Sequence, residues 1–177
     1  GDPVTMLRNS QAGAYVFPIA PEFSNWRDEQ EAWRKTAILF DQSYHMTDLY
    51  VQGPDTVRLL SDLGVNSFQG FKRDKAKQFV ACNHDGYVIG DGVLFALEDD
   101  KVVLVGRPPI SNWVHFNAVT GGYNVKVERD ERSLANPMQR KLYRFEVQGP
   151  NAWKILEKVH GGPIPDIKFF AMGEINI

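Results

Sequence analysis

Leu49-Tyr50-Val51-Gln52-Gly53-Pro54-Asp55 decides the fold. A short strand-forming run closes on a glycine, and the proline after it suits the first turn of a helix, where its missing N–H costs nothing. That helix carries Val57, Leu59, Leu60 and Leu63, and Gly64 stops it. The same unit returns as Phe145-Glu146-Val147-Gln148-Gly149-Pro150-Asn151, after which Ala152-Trp153-Lys154-Ile155-Leu156 matches Thr56-Val57-Arg58-Leu59-Leu60 in helical position. A strand, a Gly-Pro corner and a helix used twice imply two related modules.

On the amino-terminal side, Pro18 and Pro21 mark a loop that leads to Ser24 or Asn25 as a helix cap. A helix from there to about Thr36 places Trp26, Trp33 and Ala37 along one stripe. The tryptophans at 26, 33, 113 and 153 all fall at helical spacing with other apolar residues and read as core. On the carboxyl-terminal side the pattern turns to β: Gln78 to Cys82, an Asp85-Gly86 turn, Val88 to Leu97, an Asp99-Asp100 turn, and Val102 to Gly106. Ser111 is placed to cap a helix through Trp113, Val114, Phe116 and Ala118, ended by Gly121-Gly122, before a strand from Tyr123 to Arg129. This order predicts an α+β fold, with helices on one face of an antiparallel sheet in a ferredoxin-like module. The expected divisions are 1–48, 49–130 and, after a polar connector, a second module that begins at 141 and is cut off at 177.

With 177 residues, 43% of them hydrophobic, the chain has material for one good core or two small packed modules. Lys plus Arg number 20 against 22 Asp plus Glu, a net charge of -2, so the basic excess that a phosphate backbone demands is missing and nucleic acid is not expected as a partner. Apolar runs such as Val102 to Val105 fall far short of the ~20 residues that span a bilayer. The first residues, with Asp2, Arg8, Asn9 and Ser10, do not read as a cleavable leader. Cys82 is the single cysteine, so no internal disulfide can form, which fits a reducing, cytoplasmic setting. The start at Gly1 and the stop at Ile177 inside an apolar stretch are expected of a piece of a longer protein.

Most familiar chemistry is absent from the sequence. Gly90-Asp91-Gly92 runs into Val93, Leu94 and Phe95, so it lacks the third glycine of a dinucleotide fingerprint. The histidines at 45, 84, 115 and 160 have no metal-ligand spacing, and no metal is expected.

Five blocks appear in a telling order. They are Leu39-Phe40-Asp41-Gln42-Ser43-Tyr44-His45-Met46-Thr47-Asp48-Leu49, Val51-Gln52-Gly53-Pro54-Asp55, Ala76-Lys77-Gln78-Phe79, Asp85-Gly86-Tyr87-Val88-Ile89-Gly90-Asp91-Gly92-Val93-Leu94, and Val147-Gln148-Gly149-Pro150-Asn151-Ala152. Together they resemble the glycine-cleavage T-protein, or aminomethyltransferase, family over roughly residues 37 to 177. Two departures matter: an extra residue separates Asp41 from His45-Met46, and the family's paired aspartates are reduced to Gly90-Asp91. Joined with the amino-terminal block from Met6 to Arg27, these departures resemble the tetrahydrofolate-dependent vanillate, 3-O-methylgallate and syringate O-demethylases.

The resemblance implies a folate-binding aminomethyltransferase-type fold and a tetrahydrofolate cofactor, with a methoxylated aromatic acid as the methyl donor. An aminomethyl transfer of the T-protein kind is the competing activity, and a folate-binding regulatory protein without turnover is the reading outside enzymes. Asp91 matches the aspartate that the family retains near the reacting nitrogens, while a hairpin aspartate bonded to nearby amides is the plainer alternative. His45 is placed by the His-Met block to donate a hydrogen bond to substrate oxygens, or else is a structural histidine at a strand start. Arg107, before Pro108-Pro109 at a strand end, has the planar fork that suits a benzoate carboxylate, or is a surface arginine. Gln42 is a weaker polar candidate, and Tyr15 and Phe17 either line the aromatic pocket or pack in the core. The cluster Lys72, Arg73, Asp74, Lys75 and Lys77 reads as a solvated loop or as an attractor for the anionic folate tail. A general acid is expected beyond Ile177, and a homodimer is one way for the chain to cover an interior left open.

Overall fold

The computed structural model describes residues 23–132 and 139–177. Its elements, in chain order, are α1 (Trp26–Lys35), β1 (Ile38–Asp41), β2 (Thr47–Gln52), α2 (Thr56–Leu63), β3 (Ala76–Cys82), β4 (Val88–Glu98), β5 (Lys101–Gly106), α3 (Pro108–Thr120), β6 (Lys126–Asp130), β7 (Phe145–Gln148) and α4 (Ala152–His160). Strands β3-β4-β5-β2-β6 form a five-stranded sheet in that order, and β1 pairs with β7 in a separate two-stranded sheet. Every pairing is antiparallel. The expected α+β class therefore holds, with one addition to the ferredoxin-like plan: β3, β4 and β5 meander where that plan has a two-stranded hairpin.

The pleat divides the five-stranded sheet into two faces, because successive side chains point to opposite sides. Leu49, Val51, Phe79, Ala81, Leu94, Ala96, Val102 and Leu104 meet Leu59 and Leu60 of α2 and Ile110, Val114 and Ala118 of α3 in one core. The alternate residues, Asp48 and Tyr50 on β2, Asp91, Val93 and Phe95 on β4, Val103 and Val105 on β5, belong to the opposite face. Among the described residues that face carries no helix, and it is where the candidate site lies.

Glycines explain how α3 reaches the sheet. A Cβ on Gly106 would stand 2.7 Å from the Ile110 side chain, and one on Gly90 would stand 3.2 Å from it. Gly92 is closed off as well, 2.6 Å from the Val105 carbonyl oxygen. Gly90 and Gly106 thus let the first turn of α3 lie against β4 and β5, with Arg107 at the N-cap position at the same end of the sheet as Asp91.

Of the two caps expected for α1, Ser24 or Asn25, Asn25 is the one used, its Oδ1 accepting from the N–H groups of Arg27 and Asp28 at 3.1 Å. Other sequence expectations need correction. Ser111 caps nothing: α3 starts at Pro108, and the Ser111 side chain is buried within its first turns with no hydrogen-bond partner among the described residues. Trp26, Trp33 and Trp153 are more than two-fifths exposed, so only Trp113 packs against the core. Neither α1 nor α4 contains a buried residue, and the strands that lead out of and into them, β1 and β7, form a two-stranded sheet. The strand β1 has no counterpart in the sequence reading, and Tyr15 and Phe17 lie outside the described residues. No helix among the described residues is long and apolar enough to cross a membrane.

Candidate functional site

Residues 139–144 cross the face of the large sheet opposite α2 and α3 and lead into β7. Their anchor is Arg140, whose side chain is 0% exposed. Its guanidinium meets Asp48 of β2 at 3.2 Å and Asp130 of β6 at 3.5 Å, two carboxylates that stand opposite one another in the β2–β6 register. These contacts are ionic rather than aligned hydrogen bonds, since Asp48 Oδ2 and the Arg140 Nε and Nη2 atoms find no well-directed partner among the described residues. Arg140 also donates from Nη1 to the Asp130 carbonyl at 3.2 Å, and the Lys141 N–H donates to Asp130 Oδ2 at 2.8 Å.

Arg144 completes the set, donating from Nη2 to Asp48 Oδ1 at 2.6 Å and from Nη1 to the Gln42 carbonyl at 3.4 Å. Two buried carboxylates thus face two guanidiniums. Removing one member of such a set leaves a buried charge uncompensated.

The crossing segment is stitched to the 41–46 turn. Gln42 N–H donates to the Arg144 carbonyl at 2.8 Å, extending the β1–β7 ladder. The Ser43 hydroxyl accepts from the Arg144 N–H at 2.9 Å and donates to the Arg144 carbonyl at 3.2 Å, while Asp41 Oδ1 accepts from the Ser43 N–H at 2.9 Å. Tyr44 is buried edge-on against Tyr143, their ring centroids 6.4 Å apart. With Ser43 and Tyr44 pinned inward, Gln42, His45 and Met46 are left to line a cleft.

That cleft has a volume of about 560 Å³. Val93, Phe95, Val105, Met46 and Phe145 give it apolar walls, and its polar groups are Gln42, His45, Gln78, Asp91, Arg107, Arg144 and Glu146. Asp91 and Arg107 are exposed, whereas His45 and Arg144 are half-buried and sit deeper. Burial first, then the charges of Arg144, Arg107 and Arg140, hold the His45 pKa below its ordinary value of 6.5. The ring is therefore neutral at pH 7, able to donate one hydrogen bond and accept another. A larger hollow of about 670 Å³ lies on the other side of the crossing segment, around Tyr50, Lys101, Lys126, Lys141 and Leu142, and contains none of the residues singled out by sequence.

Residues 9–177 match the family described as the GCVT N-terminal domain. The chain belongs to that family. It is 51% identical over its whole length to syringate O-demethylase of Sphingobium sp. (strain NBRC 103272 / SYK-6), spanning 39% of that protein. It is 30% identical to an aminomethyltransferase of Corynebacterium aurimucosum over 92% of this chain and 45% of that one. Among solved structures, the glycine cleavage system aminomethyltransferase T of Bartonella henselae superposes with a TM-score of 0.64 at 23% identity, over 81% of this chain and 37% of that one. The last likeness is one of fold. The chain spans less than half the length of these curated relatives.

Within this GCVT N-terminal domain, the structure brings Asp91, His45, Arg107 and Gln42 to one cleft, although they come from β4, the 41–46 turn and the start of α3. The cluster at 72–77 lies elsewhere: Arg73 pairs with Glu98 at 3.1 Å, and Lys77 sits over the Phe68 ring. Sequence reading missed Arg140, the last residue of the stretch read as a polar connector, and Arg144, at the start of the second module. The signal that points to them is Asp48, a charged residue directly before the apolar Leu49 and Val51, which needs a cationic partner if its strand is buried.

Proposed function

We propose that this chain forms part of the donor and cofactor site of a tetrahydrofolate-dependent methyltransferase acting on methoxylated aromatic acids in the cytoplasm. The observation that carries the reading is the cleft itself, in which apolar walls, a carboxylate, a neutral imidazole and two guanidiniums converge. A flat aromatic acid asks for those walls and for a cation at its carboxylate. A pterin edge, rich in N–H donors, asks for acceptors beside an apolar surface, which Asp91 and Glu146 next to Val93 and Phe95 provide.

In this reading Arg107 holds the benzoate carboxylate by its planar fork, and Asp91 holds the pterin. His45 and Gln42 hydrogen-bond the ring oxygens, and Met46 and Phe145 help to keep water from the ring. Bound tetrahydrofolate supplies the nitrogen that takes the methyl group. The aryl oxygen leaves with the bonding pair, and a proton is needed to release it as the phenol. Support also comes from the relative at 51% identity, which is named for syringate demethylation. Aminomethyl transfer is the second reading, favoured by the relatives that bear that name.

Calorimetric titration of the complete protein with tetrahydrofolate, then with vanillate and syringate, tests the proposal. Both kinds of ligand are expected to bind, with Arg107→Ala weakening the aromatic acids about tenfold to a hundredfold and leaving folate unchanged. Folate binding without aromatic-acid binding favours aminomethyl transfer if turnover is found and a regulatory protein if it is not. Absence of folate binding overturns the cofactor assignment.

A further inference from the structure

We infer that Arg144 is a second ligand-binding guanidinium of the cleft, facing the ring oxygen that becomes anionic as the methyl ether breaks. The inference rests on the aryl-ether reading above and adds to it a residue that selects and stabilises the reacting end of the ring.

Arg144 is held but not consumed. Its contacts to Asp48 and to the Gln42 carbonyl occupy one N–H on each terminal nitrogen, and the rest of its five-donor fork has no acceptor among the described residues. Asp48 does not fully quench it, because the same carboxylate also faces Arg140. The backbone of Arg144 is fixed on both sides by the Ser43 hydroxyl, so the fork is oriented before any ligand arrives. A purely structural arginine does not need to line a cleft, yet Arg144 does, with its side chain 27% exposed.

Depth separates its task from that of Arg107. Arg107 is exposed, where a permanently charged carboxylate keeps part of its hydration and loses little on binding. Arg144 is half-buried beside the neutral His45, where a fixed cation acts on nearby charge more strongly than in open water. The aryl oxygen is nearly neutral in the ether and takes the bonding electron pair as the C–O bond breaks, so it gains most from a guanidinium in that deeper position. The substrate class is thus an aromatic ring with a carboxylate at one end and an ether oxygen at the other, each facing its own arginine.

The test is a ligand-truncation series on the complete protein with folate bound. Affinities for 3-hydroxybenzoate, benzoate and phenol are measured by titration for the wild type, Arg144→Gln, Arg144→Lys and Arg107→Gln, with thermal unfolding followed in parallel. Arg144→Gln is expected to remove the preference for 3-hydroxybenzoate over benzoate, a loss of about tenfold to a hundredfold, while benzoate affinity holds. Arg144→Lys is expected to restore part of that preference, and Arg107→Gln to remove the preference over phenol instead. Equal weakening of all three ligands by Arg144→Gln, or no change in any, overturns the inference and leaves the aryl-ether reading standing. A wild type that binds none of them sinks that reading, and the inference with it.

Discussion

The two strand-Gly-Pro-helix units share a backbone and differ in what covers them. Gly53 and Gly149 both adopt positive φ, +146° and +127°, and both press against a neighbouring chain. A Cβ at Gly53 would lie 2.4 Å from the Asn124 carbonyl oxygen, just before β6, and one at Gly149 would lie 2.6 Å from that of Thr36, just before β1. The pair α1–β1 therefore stands to β7 as α3–β6 stands to β2. In the first unit β2 also has β5 on its other side, and Leu59 and Leu60 are 0% exposed. In the second, β7 has β1 alone among the described residues, and Ile155, which aligns with Leu59, is 43% exposed. The comparison teaches that the Gly-Pro corner is set locally, by sequence and by one close backbone approach, whereas burial is set by the number of strands that assemble around it.

The ion cluster joins the two units, since Asp48 belongs to β2 and Arg140 and Arg144 lead into β7. Breaking it is the largest change expected. Arg140→Ala leaves Asp48 and Asp130 without their buried cation and should cost about 3–5 kcal/mol in urea denaturation. A loss below about 1 kcal/mol would mean that the crossing segment is not held to the sheet by charge.

Next come the matched helix positions, where Leu59→Ala should cost about 2–5 kcal/mol. Ile155→Ala, at an exposed site, should stay within about 0.5 kcal/mol. Similar losses at both would show that α4 is as well covered in solution as α2.

The corners themselves should behave alike, for Gly53→Ala and Gly149→Ala each force a side chain into a positive-φ position against a carbonyl oxygen. About 1–3 kcal/mol apiece is expected, and a harmless Gly149→Ala would separate the corners that the structure makes equivalent.

The smallest effect concerns His45, whose pKa the fold lowers from 6.5. As pH falls, the unfolded chain takes up the proton first, so His45's contribution to stability is complete above about pH 6.5 and is lost progressively below it. Denaturation curves between about pH 8 and about pH 5 should show this decline in the wild type and a shallower one in His45→Gln. Identical slopes would place His45 in open water.

Much of this was legible in the sequence, for reasons that can be named. The repeat announced both corners, and period-2 patterning marked β3, β4 and β5 because their alternate residues face α2 and α3. Asp91, His45 and Gln42 were singled out through ordered motifs and Arg107 through its place at a strand end before two prolines, and the topology brings all four to one cleft. Arg144 and Arg140 were not found, because a short polar stretch looks the same whether its charges meet water or buried carboxylates. The tryptophans of α1 and α4 misled for the opposite reason: helical spacing shows a stripe but not whether anything lies beneath it. Ser111 looked like a cap, but the helix already starts at Pro108, where Gly90 and Gly106 leave room for its first turn against the sheet.

The most direct measurement is a crystal structure of the complete protein with folate and an aromatic acid bound. The account predicts the ring between Val93, Phe95, Met46 and Phe145, its carboxylate on Arg107 and its ether oxygen toward Arg144. A ring lodged instead in the lysine-lined hollow around Tyr50, with the Arg107 cleft empty, would contradict it.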